Sequence, residues 1–303
     1  MTCCGNRENC QLELSTSFSQ QKLLTIGMAT YDDFDGMFFS IEALMMYHQE
    51  VMPYVEILVV DNNPNGKFSK DTKQYLAALN NGVKPTYIAF DEYRATTVKN
   101  LVFEQATTPY VLCMDSHVLL EAGSLAKLLM YYQCHENTKD LLQGPLLSDD
   151  LLSVWTHFDP VWRGQMFGTW ATDPRGKDPD SDPFDIPMQG MGVFSCRKDA
   201  WLGFNKNFRG FGGEEGYIHQ KFRKQGARTL CLPFLRWVHR FRRPDGIPYP
   251  LSMDDKIRNY FIGRLELGES VSDVTNHFTF AQKVPREKIA QLYQEAKQVY
   301  NLI

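Results

Sequence analysis

Apolar and polar positions along the first third of the chain fall into blocks of strand and helix length. Lys22 to Met28 is a β-rich run, followed by the polar loop Ala29 to Gly36 and an amphipathic pattern from Met37 to Gln49. Tyr54 to Val60 is a second, Val-rich strand that ends in the turn cluster Asp61-Asn62-Asn63-Pro64. Lys70 to Leu79 predicts a helix, Pro85 to Phe90 a third strand and Thr96 to Ala106 another helix. Tyr110 to Met114 is an uninterrupted apolar run, a buried strand that ends at Asp115. This β/α alternation predicts an α/β fold with a mostly parallel central sheet and helices on both faces. Ligands of such sheets bind beyond the carboxyl ends of the strands, where Thr30, Asp61, Arg94 and Asp115 all fall.

After Gly123 the pattern changes. A helix to Glu136 and a short strand from Leu141 to Gly144 lead into a stretch, Ser148 to Pro187, rich in Asp, Pro, Gly and Trp. Its second part, Thr172 to Pro187, is expected to be a long surface loop of the kind used for lids or binding. Met188 to Arg197 reads as a strand, Asp199 to Leu202 as a short helix, Glu215 to Gln225 as a helix closed by Gly226, and Thr229 to Pro233 as a strand. Leu251 to Ile303 is helical with charged faces and shows no chemistry. The division this suggests is a polar N-terminus (1–20), one large domain (21–265, halves meeting near 120) and a helical tail (266–303).

With 303 residues and a formal charge of -4, the chain has ample core and lacks the basic footprint of a nucleic-acid binder. No apolar stretch reaches membrane-spanning length and Met1 to Gln20 lacks a signal-peptide core, so no membrane anchor is expected. Seven cysteines form no secretory pattern; Cys113, Cys196 and Cys231 lie in apolar surroundings, and Cys3, Cys4 and Cys10 lack a fourth metal ligand. The expectation is a cytoplasmic protein.

The chemistry concentrates at Asp115-Ser116-His117. A carboxylate and an imidazole two residues apart at the mouth of a buried strand can reach one divalent cation, and manganese accepts mixed oxygen and imidazole ligation. Taken alone, Asp115 could cap a turn and His117 could be an ordinary half-buried histidine. A third ligand, His239, comes from Trp237-Val238-His239-Arg240-Phe241-Arg242. Phe211-Gly212-Gly213-Glu214-Glu215 offers two acids on a glycine-backed turn, which would also complement the dipole of the following helix. Trp155, Trp162 and Trp170, with Phe167 and His157, would make an acceptor platform, although aromatic clusters of this kind are more often core. His219, inside a predicted helix, reads as structural.

Four segments together resemble the GT-A glycosyltransferases: Val59-Val60-Asp61-Asn62-Asn63, Met114-Asp115-Ser116-His117, Gly190-Met191-Gly192-Val193-Phe194 through Gly213-Glu214-Glu215, and Val238-His239-Arg240-Phe241-Arg242. In order and spacing, from Leu23 to Pro250, they are most similar to the retaining polypeptide N-acetylgalactosaminyl- and N-acetylglucosaminyltransferases, with their Asp-x-His motif. The resemblance implies a UDP-sugar donor and Mn²⁺, with Mg²⁺ as the alternative, held by Asp115, His117 and His239. It implies that Asp61 contacts uridine, that Thr30 and Tyr31 line uracil, and that Arg94 and Arg242 serve the nucleotide and its phosphates. Ser116 and Gly213 belong to the matched donor-binding segments, Gly190 and Gly192 would admit the sugar, and Glu214 and Glu215 would accept from its hydroxyls. Arg242 to Pro250 takes the place of the family's mobile lid. The absence of an anchor and of a lectin module points to a bacterial or viral type of enzyme whose acceptor need not be a polypeptide.

A leaving diphosphate gains negative charge, which a divalent ion and Arg242 would offset, while carboxylates favour the oxocarbenium-like sugar. Retention by same-face attack needs no separate base; the alternative is inversion with Glu214 or Glu215 as base. A binding protein without turnover has little use for both acids, a third imidazole and a lid. A nucleotidyltransferase would show a glycine-rich basic loop where Ala29 to Gly36 is acidic.

Overall fold

The computed structural model describes residues 21–79, 83–240 and 246–301. Arg242, the first part of the expected lid and the three N-terminal cysteines therefore lie outside the described residues.

The chain opens with β1 (Leu24–Thr30), α1 (Phe34–Tyr47), β2 (Val55–Asp61), α2 (Ser69–Ala78), β3 (Thr86–Ala89), α3 (Lys99–Gln105) and β4 (Tyr110–Asp115). Each strand call of this half falls within two residues of its expected ends. Then come β5 (Val118–Leu120), α4 (Ser124–Cys134), β6 (Leu141–Gln143), β7 (Leu146–Leu147) and β8 (Val154–Trp155). The hairpin β9 (His157–Arg163) and β10 (Met166–Ala171) precedes β11 (Phe184–Asp185), β12 (Val193–Arg197), α5 (Glu215–Lys224), β13 (Thr229–Cys231) and β14 (Trp237–His239). Three helices follow: α6 (Met253–Glu266), α7 (Ser272–Asn276) and α8 (Arg286–Gln298).

Among the described residues the main sheet has eight strands in the order β11-β13-β6-β12-β4-β1-β2-β3. Strands β3, β2, β1 and β4 are parallel, and β12 enters antiparallel to both β4 and β6. Leu24, Ile26 and Met28 of β1 are fully buried on one face. On the other, α3 packs so close at Gly27 that a Cβ there would lie 2.0 Å from Val102 Cγ1. The chain runs outward from β1 to β3, then returns to place β4 on the other side of β1. The strand order thus reverses between β1 and β4, the switch point at which α/β sheets bind ligands.

A smaller sheet, β5-β14-β7-β8, carries the chain back over this point. The hairpin β9–β10 was not legible in the sequence, because Asp159-Pro160 interrupts the alternation of β9; a proline is tolerated in such a two-stranded ribbon. The expected loop from Thr172 to Pro187 is largely irregular, with one short helical turn and β11. Residues beyond 266 do not trail from the molecule: Val274, Phe278, Ile289, Leu292 and Ala296 share a buried cluster with Ile257 and Phe261 of α6 and Phe222 of α5.

Candidate active site

Asp115 ends β4, and its backbone N–H donates to Gly192 O at 2.8 Å. A two-residue turn then starts β5, whose pairing with β14 sets Val118 opposite His239. That register brings together three ligand-type atoms: His117 Nε2 to His239 Nε2 3.1 Å, His239 Nε2 to Asp115 Oδ2 3.4 Å and His117 Nε2 to Asp115 Oδ2 4.0 Å. Ligands about 2.1 Å from one ion are about 3 Å apart at right angles and farther at wider angles, so the set fits a divalent cation. Its mixed oxygen and imidazole chemistry suits manganese.

The cluster is braced from behind. Asp33 Oδ2 accepts a hydrogen bond from His117 Nδ1 at 2.6 Å, a contact that leaves the Nε2 lone pair facing the cluster. Asp33 also accepts from Arg240 at 3.2 Å, Ser116 Oγ at 3.3 Å and Gly36 N at 3.3 Å. Gly36 allows this, since a Cβ there would lie 2.7 Å from the Asp33 carboxylate. Ser40 of α1 donates to Ser116 O and Val118 O and fixes the turn itself. Lys99, buried in the first turn of α3, donates to Asp115 Oδ1 at 2.7 Å and to Met191 O at 2.8 Å. Burial alone would raise the Asp115 pKa, but the Lys99 ammonium and the two imidazoles hold it well below the usual carboxylate range. One carboxylate oxygen thus serves the ammonium and the other faces the imidazoles.

Across a cleft of about 280 Å³ lie Glu214 and Glu215, where α5 begins. Gly212 and Gly213 precede them at φ of 107° and 92°, a left-handed region open to glycine but strained for other residues. Thr96 N–H donates to Gly210 O at 3.0 Å, tying this loop to the turn before α3, and Thr96 Oγ1 donates to Glu214 Oε1 at 3.1 Å. From below, Asn259 of α6 donates to Arg209 O at 2.7 Å and Gly212 O at 2.9 Å. Burial raises the pKa of Glu214, and burial followed by repulsion from Glu214 raises that of Glu215 to about 8.

Among the described residues, three buried oxygens lining the cleft have no hydrogen-bond partner: Thr30 Oγ1, Asn62 Oδ1 and Glu214 Oε2. Buried polar groups are normally paired, so these are places for a ligand to bond. Tyr31, Ser116, His117, Gly192 and Glu215 line the same cleft, together with Phe211 and Tyr249, whose rings lie 4.2 Å apart. Gly192 is required there, because a Cβ would meet Trp237 at 2.8 Å and Asp115 Oδ2 at 3.4 Å.

Five other expected site residues stand apart from the lining: His239, which borders a neighbouring pocket that His117 also reaches, and four more. Asp61 is buried below it, accepting from Tyr87 OH at 2.8 Å and Asn63 N at 3.0 Å. Arg94 lies over the Tyr31 ring at 5.6 Å and donates to Asn63. Gly190 faces Phe158 and Trp170, and Gly213 borders a separate cavity behind α5. Of the aromatic cluster, Trp162 is a packing joint, stacked 4.3 Å from His277 and edge-on to Tyr260. His219 is fully buried, donates to Glu215 O and accepts from Gln189 N at 3.1 Å, and burial lowers its pKa to about 3.

Sequence reasoning missed Asp33, Lys99 and Lys256. Lys99 was detectable, since it shares the buried face of α3 with Val102 and Phe103, and a charge on an apolar stripe implies a buried partner. Asp33 carries only the signature of a helix N-cap, and Lys256 lies in a helix that showed no pattern beyond charge.

The model of glycosyl transferase family 2 matches residues 28–199. The chain belongs to that family. The chain also resembles solved structures at low identity. The fold of GalNAc-T7, determined with UDP, GalNAc and Mn²⁺, superposes at a TM-score of 0.66 with 13% identity, over 92% of this chain and 54% of that one. The chain thus spans about half the length of that protein. S. aureus TarS 1-349 gives 0.54 at 14% identity, covering 93% and 83%. The mannosyltransferase PcManGT from Pyrobaculum calidifontis, in complex with GDP-Man and Mn²⁺, gives 0.52 at 15%, covering 91% and 70%. These likenesses establish the GT-A fold of the chain. No curated protein matches its sequence. No helix among the described residues is long and apolar enough to cross a membrane.

Proposed function

We propose that this enzyme transfers a sugar from a UDP-sugar to an acceptor hydroxyl with retention of configuration, using Mn²⁺ held by Asp115, His117 and His239. The observation that carries the proposal is one cleft with Asp115 and His117, two members of the Asp-His-His set, on one wall and the buried Glu214 and half-buried Glu215 on the other. GalNAc-T7 was solved with UDP and Mn²⁺, and TarS with UDP-GlcNAc, which favours uridine over the guanosine of PcManGT. A bound divalent ion would offset the charge that develops on the departing diphosphate.

The chain's own groups do the rest. Thr30 Oγ1 and Asn62 Oδ1 offer hydrogen bonds to the base and ribose, with Tyr31 and Tyr249 as apolar walls. Lys99 holds Asp115 charged and oriented. Glu214 Oε2, fixed by the Thr96 contact on its other oxygen, accepts from a sugar hydroxyl. Its burial strengthens that bond and favours positive charge at the anomeric centre. In retention the departing phosphate oxygen takes the acceptor proton, which leaves both acids free to position the sugar. Arg242 and the segment to Pro250 are assigned to the phosphates and the lid on the resemblance alone.

Inversion is the second reading, favoured by Glu215, whose pKa near 8 suits a general base. UDP release from a panel of UDP-sugars, with Mn²⁺ or with EDTA, tests the class and names the donor. Release that EDTA abolishes supports the proposal, and failure of every UDP-sugar to bind refutes the nucleotide assignment. The anomeric configuration of the product by NMR separates the two readings: a β-linked product from an α-donor would falsify retention.

A further inference from the structure

Beyond the donor cleft the structure holds a second, aromatic pocket of about 580 Å³, between β7, β8 and the hairpin. Two half-buried indoles, Trp155 and Trp170, line it together with Asp149 and Arg163. Both rings are held in place. Trp155 Nε1 donates to Ser148 Oγ at 2.9 Å, and Trp170 meets Phe158 edge to face at 4.3 Å. The polar groups differ in availability: Asp150 is occupied in capping its own turn, whereas Asp149 and Arg163 are exposed at the pocket rim.

Two contacts place this pocket beside the donor cleft. Trp170 Cζ2 is 3.7 Å from the position of a Cβ on Gly190, two residues from Gly192 in the cleft wall. Asp149 also borders a neighbouring pocket of about 520 Å³ that reaches His117 and His239. Two rigid aromatic surfaces with a carboxylate and a guanidinium at their edge match one ligand chemistry, a ring with apolar C–H faces and a belt of hydroxyls.

We propose that the Trp155–Trp170 pocket binds a saccharide ring of the acceptor, so that the enzyme extends a glycan or glycoconjugate and does not modify a bare polypeptide. The proposal rests on the glycosyl-transfer reading above. It adds the acceptor's chemical class and a site outside the donor cleft.

The test is binding without nucleotide. Lactose, cellobiose and the methyl glycosides of glucose, galactose and N-acetylglucosamine are titrated into the full chain, read by tryptophan fluorescence and saturation-transfer NMR. At least one should bind saturably, and Trp155→Ala and Trp170→Ala should each weaken it about tenfold. Asp149→Asn, at an exposed position that threatens no packing, should weaken it several-fold. Trp155→Phe keeps a ring and should bind more tightly than Trp155→Ala. The proposal is overturned if no saccharide of the panel binds the wild-type chain, or if binding persists unchanged in all four variants. Transfer to a peptide with none to any saccharide would also overturn it. Metal-dependent UDP release by the wild-type chain is scored separately, so failure here leaves the donor reading standing.

Discussion

The two walls of the cleft are built on opposite principles. On the wall proposed to hold the metal nearly every polar atom is engaged: His117 leans on Asp33, Asp33 on Arg240 and Ser116, and Asp115 on Lys99. On the wall proposed for the sugar, Glu214 keeps one oxygen without a partner among the described residues; burial raises its pKa, and burial together with repulsion from Glu214 raises that of Glu215. One wall is finished before any ligand arrives, and the other is completed by the ligand. Preorganisation of this kind supports tight ion binding, whereas an unmet acceptor lends its energy to whatever bonds with it.

The largest effect on this contrast should come from Asp115→Ala, which removes a ligand and strands the buried Lys99 ammonium. Transfer should fall by about a thousandfold or more, with loss of Mn²⁺-dependent UDP binding by calorimetry. Activity within tenfold of wild type would show that Asp115 is not part of the site. Next in size, Glu214→Gln should reduce transfer about a hundredfold while sparing UDP binding, because the proposal puts the nucleotide on the other wall. Equal losses in both measurements would erase the distinction between the walls.

Asp33→Asn should act chiefly through His117, weakening Mn²⁺ affinity about ten- to a hundredfold, read by metal titration of UDP release. Glu215 carries the pH signature. Its folded pKa of about 8 exceeds the ordinary 4.5, so the folded state binds the extra proton. Stability should therefore fall as pH rises between about 4.5 and 8, and Glu215→Gln should flatten that decline in melting curves. A wild-type curve as flat as that of the variant would contradict the burial of this acid. The smallest effect belongs to Arg94→Ala, at an exposed site with one 3.3 Å hydrogen bond and a 5.6 Å approach to the Tyr31 ring, expected to change stability by less than about 0.5 kcal/mol.

The metal wall was legible in the sequence where its chemistry is local. Asp115-Ser116-His117 follows a continuous buried run, and His239 stands among cations in a short apolar segment, so residue type and flanking pattern pointed the same way. The supports of that wall were not legible, because they depend on contacts spanning dozens of residues. Asp33 meets His117 across 84 positions and Arg240 across 207. Local periodicity carries no record of such pairs. The first β/α half was readable because its central parallel strands β1, β2 and β4 are buried on both faces and stand out as apolar runs. The hairpin β9–β10 was hidden by Asp159-Pro160, and the role of the last fifty residues by a charge pattern that gives no hint of the buried Asn259.

Asn259 ties the end of the chain to the chemistry in a practical way. By holding Arg209 O and Gly212 O it suspends the acid-bearing loop from α6, and α8 packs against that helix through Ile289 and Leu292. Anyone trimming the protein at residue 266 to obtain a shorter reagent would remove the counterweight of that suspension. Grafting the C-terminal helices of one relative onto another would likewise re-aim the two acids without altering any residue that touches the donor.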